Sequence, residues 1–167
     1  MDMAAHVKQG LRNHAPMEVG EVARHGIDLM LAVRYLHDKG THHRIRRHCF
    51  AEPDESASAG LVHGAISTHK VMLDREGRSK LLYLPREALR AAPEYCGPEE
   101  DVFDCGAVLV EMARGSPVTS SDNYHIKQAL ADVPWPRLRD VCAKCLAQVP
   151  EERPSARAVI DMLRMCA

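Results

Sequence analysis

Apolar positions along the chain follow two rhythms. From Glu18 to Leu36, apolar residues recur at helical spacing (Val19, Val22, Ala23, Ile27, Leu29, Met30, Leu31, Val33, Leu36), which predicts a long buried helix with Gly40 as its stop. A shorter helix is predicted over roughly residues 2–12, where Met3, Ala4, Val7 and Leu11 share one side before Asn13 and Pro16 break the pattern. Two short runs, Val71-Met72-Leu73 and Lys80-Leu81-Leu82-Tyr83-Leu84, flank a polar stretch containing Gly77 and predict one β-hairpin. From Asp101 to Arg114 the pattern is apolar nearly all round, as a helix through the middle of a domain requires, and Gly115 and Pro117 close it. Two more helices are predicted at about 137–147 and about 155–166, the second with Ser155 as N-cap after Pro154. Residues 41–60 have no period and change from basic and His-rich to acidic and small, the pattern of a flexible insert. The predicted fold class is mainly α with one small β-hairpin, without internal repeats.

Composition narrows the function classes. At 167 residues and 46% hydrophobic, the chain is long enough for one core and short for two domains. A formal charge of -1 lacks the basic footprint of a general nucleic-acid binder, so nucleic acid is not an expected partner. No run approaches the roughly 20 apolar residues that span a bilayer, and the N-terminus has no leader-like pattern, so a soluble, cytoplasmic protein without a membrane partner is expected. The cysteines at 49, 96, 105, 142, 145 and 166 lie scattered among apolar stretches, as reduced, buried thiols do.

The order of these elements, and certain residues within them, resembles the C-terminal lobe of the protein-kinase family. Leu36-His37-Asp38-Lys39-Gly40 ends the long helix, Leu61-Val62-His63 opens a catalytic-type loop, and Val71-Met72-Leu73-Asp74 follows it. Ala92-Pro93-Glu94 comes after the hairpin, Asp101-Val102-Phe103-Asp104-Cys105-Gly106 opens the central helix, and Pro150-Glu151-Glu152-Arg153-Pro154-Ser155 precedes the last. The resemblance implies a kinase C-lobe-like helical domain with residues 1–40 as its first helices, 41–60 as an insert and 61–167 as the remainder. It also implies structural roles. Glu94 is expected to pair with Arg153, Asp101 to accept from the backbone around His63 and Gly64, and His63 to pack beneath Leu84.

The same resemblance implies altered chemistry. Phosphoryl transfer needs a carboxylate for the accepting hydroxyl, ligands for metal ions and a lysine on the nucleotide. In the family's catalytic loop the catalytic aspartate lies two residues beyond the histidine and a metal-binding asparagine five residues beyond that aspartate. Those positions here are Ala65 and Lys70, and Tyr83 falls where the second metal ligand belongs. The arginine next to the loop histidine is Gly64, and the family's Gly-rich loop, strand lysine and upper lobe have no counterpart in these residues. The expectation is therefore a pseudokinase fragment, not an enzyme, with no cofactor and no metal, acting as a protein-binding scaffold. Its expected partner is another kinase or the missing upper lobe. The alternatives are residual or atypical serine/threonine kinase activity with ATP bound, a truncated product without independent function, and an unrelated helical adaptor.

Other motifs have blander readings. The tract His42-His43-Arg44-Ile45-Arg46-Arg47-His48-Cys49 contains Zn²⁺-ligand types, but its arginines oppose a cation and it reads as a solvated loop. Cys142-Ala143-Lys144-Cys145 has redox or metal spacing but lies in a predicted amphipathic helix, which favours core packing. Glu99 and Glu100 read as a solvated helix start favoured by the macrodipole.

Overall fold

The computed structural model describes residues 17–39, 62–82, 97–118 and 123–166. The predicted helix over 2–12, the insert 41–60 with its His-rich tract, and Gly40, Leu61, Tyr83, Leu84 and Ala92-Pro93-Glu94 lie outside the described residues.

Helix α1, Val19–Lys39, buries Val22, Ala23, Leu29, Met30 and Val33. Helix α2, Pro98–Arg114, starts slightly earlier than its apolar run, because Pro98 fits a first turn whose N–H groups have no intrahelical partner, and the acids after it favour that dipole end. None of its side chains is exposed, so it is the central helix the all-round pattern predicts. Helix α3, Asn123–Ala131, was not foreseen. It is short, and it is held by Ile126 and Ala129, which are buried, with Leu130 partly so.

Helix α4, Pro136–Cys145, packs Leu138, Val141, Cys142 and Cys145 against α2. The Cys-x-x-Cys spacing is thus a buried helix face. Helix α5, Ala156–Arg164, has Ser155 as its N-cap, with Ser155 Oγ accepting from the Ala158 N–H, and it buries Val159, Ile160 and Leu163 against α1. Each fully buried Leu or Val contributes roughly 1.5–3 kcal/mol, so this helix pair is a principal source of stability.

The hairpin pairs strand β1, Val71–Leu73, with strand β2, Ser79–Leu81, antiparallel, and Val71 is opposite Leu81. Its turn is organised by Asp74, whose Oδ1 accepts from the N–H groups of Glu76 and Arg78. Three polar residues of α1 fasten it to the helices. Asp28 Oδ2 accepts from Ser79 N–H at 2.9 Å, His25 Nδ1 lies 2.9 Å from Ser79 Oγ, and Arg24 Nη1 donates to the Gly77 carbonyl at 2.7 Å. The Leu82 N–H donates to the Lys70 carbonyl at 2.8 Å, which carries the antiparallel pairing one step past β2. Among the described residues no helix is long and apolar enough to cross a membrane.

Candidate functional site

The loop from Val62 to Ser67 leads into a 3₁₀ turn, Thr68–Lys70, and then directly into β1. Regular structure supplies few of its hydrogen bonds, so its shape depends on side chains brought from elsewhere. α2 supplies two of them, both carboxylates, one turn apart.

Asp101 is fully buried, and its Oδ2 accepts from His63 N–H and its Oδ1 from Gly64 N–H, at 2.9 and 2.8 Å. His37, near the end of α1, places Nε2 2.9 Å from the same Oδ2. One carboxylate therefore ties together the loop, α1 and α2, and three charge-assisted donors offset its desolvation. Gly64 has φ of 70°, a left-handed backbone that a side chain would strain. His63 is buried and its Nε2 donates to the Leu82 carbonyl at 2.8 Å, linking the loop to the end of the hairpin. Its expected contact, Leu84, lies outside the described residues.

Further along, Asp104 Oδ2 accepts from Ile66 N–H at 2.9 Å. Burial pushes the Asp104 carboxyl up to about 6, the Asp101 and Glu100 charges add to the rise, and Ile66 N–H and Lys70 oppose it. Neither Asp104 nor His37 has a role implied by the motifs, although one helical turn from Asp101 to Asp104 places both acids on the same side. Both carboxylates are committed to backbone N–H groups of the loop. Ala65, between these two fastenings, and Lys70, in the 3₁₀ turn, are both partly buried. Tyr83 lies outside the described residues, and among those described no group of three or more His, Cys, Asp or Glu is arranged to hold a metal ion.

Among the described residues Arg153 has several partners. Its guanidinium donates through Nε to the Ala147 carbonyl at 2.9 Å and through Nη1 to the Glu99 carbonyl at 3.1 Å and Glu100 Oε1 at 2.9 Å. It also stacks over the Phe103 ring, 4.7 Å from the centroid. Glu100 is thus an ion-pair partner and not a solvated helix-start residue, because the first turn of α2 faces the segment before α5. Glu94 lies outside the described residues.

Val71 is buried in the core, whereas Leu31, Tyr35 and Leu82 are exposed, at 45%, 61% and 45%, as are Tyr124, Val149 and Met165 elsewhere. A shallow hollow of about 190 Å³ is lined by Ala32, Tyr35, Leu36 and Leu81.

Comparison with known proteins gives a likeness consistent with this order of elements. Over 176 aligned residues the chain is 24% identical to the Wee1-like protein kinase of Arabidopsis thaliana. The match takes in 96% of this chain and 33% of the other, so the chain spans about a third of that relative's length. No family model matches the chain. The chain is therefore similar to a protein kinase. This corrects the expectation of a protein that is not an enzyme: the relative is named a protein kinase, so the likeness points toward an enzyme, and no observation supports non-enzyme status.

Proposed function

We propose that this chain is the helical-lobe portion of a protein kinase-like cytoplasmic protein, and that it works by holding a kinase-type upper lobe on the apolar face where α1 meets the hairpin. The upper lobe belongs either to the same polypeptide or to another kinase. The observation that carries this reading is the continuity of two features. The exposed Tyr35 lines the hollow with Ala32, Leu36 and Leu81, and Leu82, which follows Leu81 in the chain, is exposed and bonded through its carbonyl to His63 of the clamped loop. Apolar groups clustered around a hollow favour a protein partner, since their burial is worth about 25 cal/mol per Å².

The test is calorimetric titration of the chain with a separately produced kinase upper lobe. Binding by the wild type, weakened at least about tenfold in a Tyr35→Glu, Leu82→Glu variant with an unchanged melt, is the expected result. Equal binding by the two proteins, or none by the wild type, overturns the reading.

The name of the Arabidopsis relative favours a second reading, protein kinase activity, which we take in the form of atypical serine/threonine transfer with ATP bound between this lobe and the upper one. It predicts transfer from labelled ATP by the assembled lobes with Mg²⁺ or Mn²⁺, abolished by Asp101→Asn. Absence of transfer with both metals would rule it out.

A further inference from the structure

The hollow has two walls, and one polar junction fixes how they stand. On α1, His25, Asp28, Ala32, Tyr35 and Leu36 follow helical spacing along one stripe, and on β2 Ser79 and Leu81, two residues apart, belong to one face of the hairpin. Stripe and face meet at Ser79, which is buried and bonded to His25 and Asp28, and again at Leu81, which lines the hollow with Ala32, Tyr35 and Leu36. The proton positions at the junction follow from its donors. Arg24 Nη2 lies 3.2 Å from His25 Nε2, and a guanidinium can only donate, so Nε2 accepts and the ring is neutral. Nδ1 then carries the hydrogen and donates to Ser79 Oγ at 2.9 Å. His25 is 2% exposed, so water offers no substitute for either bond. Among the described residues, the charged groups of α1 beside this ring are Arg24, in contact, and Asp28, one turn on, whose Oδ2 accepts from Ser79 N–H. Those of the hairpin, Asp74, Glu76, Arg78 and Lys80, pair with one another, and α2 and α5 present Leu109 and Leu163 beside the adjacent Gly26.

We propose that His25 is an acid-sensitive latch on the hollow: neutral, it holds Ser79 against α1, and a proton at Nε2 opens the junction so that the β2 wall moves away from the α1 wall. A protonated Nε2 is a second donor and a second cation facing the Arg24 guanidinium at hydrogen-bond distance, and their repulsion displaces the ring from Ser79. Asp28 attracts the new charge, but its Oδ2 already holds Ser79 N–H, so drawing it to the imidazolium breaks the other bond to Ser79. Both routes loosen the same residue, and Leu81, two positions along the strand, moves with it. The consequence for binding rests on the docking role proposed for the hollow: the chain holds an upper lobe above neutral pH and releases it in mild acid.

The experiment is NMR of the full chain, labelled with ¹⁵N and ¹³C, titrated from pH ~8 to ~4.5, followed by calorimetry with a separately produced kinase upper lobe. At pH ~7.5 the His25 ring is expected to carry hydrogen on Nδ1 and none on Nε2. On the acid side Nε2 gains its proton, and the Ser79 amide and Leu81 methyl signals move with it along one curve. His25→Asn, whose amide N–H takes the place of the Nδ1 donor, should keep the neutral-pH signals of Ser79 and Leu81 and leave them flat. Ser79→Ala should let the ring titrate without the Leu81 methyls. Upper-lobe affinity is expected to fall at least about fivefold between pH ~7.5 and ~5 in the wild type and to hold in His25→Asn. Hydrogen on Nε2 at pH ~7.5, a ring that stays neutral to pH ~4.5 in the folded chain, or Leu81 methyls that do not follow the ring would each overturn the latch. Because the ring nitrogens are read in the wild type, these outcomes stand even if a variant does not fold. If ring and methyls move together but no upper lobe binds at either pH, the docking reading fails and the latch stands.

Discussion

Arg153 and Glu100 form an ion pair, Nη1 to Oε1 at 2.9 Å, in which the arginine is nearly buried and the carboxylate is partly open to water. The same guanidinium also serves the carbonyls of Glu99 and Ala147, so it joins the start of α2 to the segment between α4 and α5. Removing it strands two carbonyls and one acid. Arg153→Ala is expected to lower unfolding free energy by about 2–3 kcal/mol, while Glu100→Gln, which leaves the carbonyl bonds intact, costs about 1 kcal/mol or less. Urea denaturation of the two variants checks the order, and equal losses would contradict it.

Asp101 is the more sensitive position, since it is fully buried and takes donors from two elements. Asp101→Ala is expected to cost about 3–5 kcal/mol, because His63 N–H, Gly64 N–H and the His37 ring all lose their acceptor. Hydrogen exchange of the His63 and Gly64 amides should accelerate out of proportion to that of amides in α5.

Asp104 affects stability in the opposite sense. Its folded value, raised to about 6, lies above its unfolded one, so its contribution is fully present below pH ~4 and is lost as pH rises through about 6. Asp104→Asn is therefore expected to raise stability at pH ~7.5 by on the order of 1–2 kcal/mol and to flatten the profile between pH ~5 and ~7.5. Melting curves at the two pH values, for wild type and variant, measure this. Destabilisation of the variant at pH ~7.5 would show that the Ile66 bond outweighs the burial of charge.

Gly106 packs against α4 so closely that an added Cβ would lie 2.7 Å from Cys145 Cβ, an atom fixed to its own backbone. Gly106→Ala is expected to destabilise by about 2 kcal/mol despite the better helix propensity of alanine. Gly20, which has nothing among the described residues within 4 Å of its added Cβ, supplies the control, and Gly20→Ala should be neutral or stabilise by up to about 1 kcal/mol.

Burial pushes the Cys145 thiol up to about 12, and that of Cys142 higher still, so neither provides thiolate near neutral pH. A thiol reagent applied to the folded chain should modify the half-buried Cys166 before either of them, as read by peptide mass mapping. Modification of Cys142 in step with Cys166 would mean that the α2–α4 contact opens readily.

The long helix, the central helix, the hairpin and the last two helices were legible because each has an apolar pattern that one period describes. Ser155 marked its cap in advance for the same reason: capping is a local hydrogen bond. α3 was not legible, since nine residues are too short a run for a helical period to stand out and a helix of that length is stabilised by packing. In the candidate site, the motif order pointed to Asp101 and His63, whereas His37 and Asp104 required coordinates to connect them to the loop.

What the sequence determined by itself was the set of elements and the residue types available at each loop position, Ala65 and Lys70 among them, because periodicity, capping and turn chemistry act over a few neighbouring residues. Tertiary structure alone decided that Glu100 meets Arg153, that Val71 turns inward while Tyr35 faces out, and that Asp104 has a displaced proton affinity. Those outcomes depend on distances and burial among groups far apart along the chain, which no local pattern encodes.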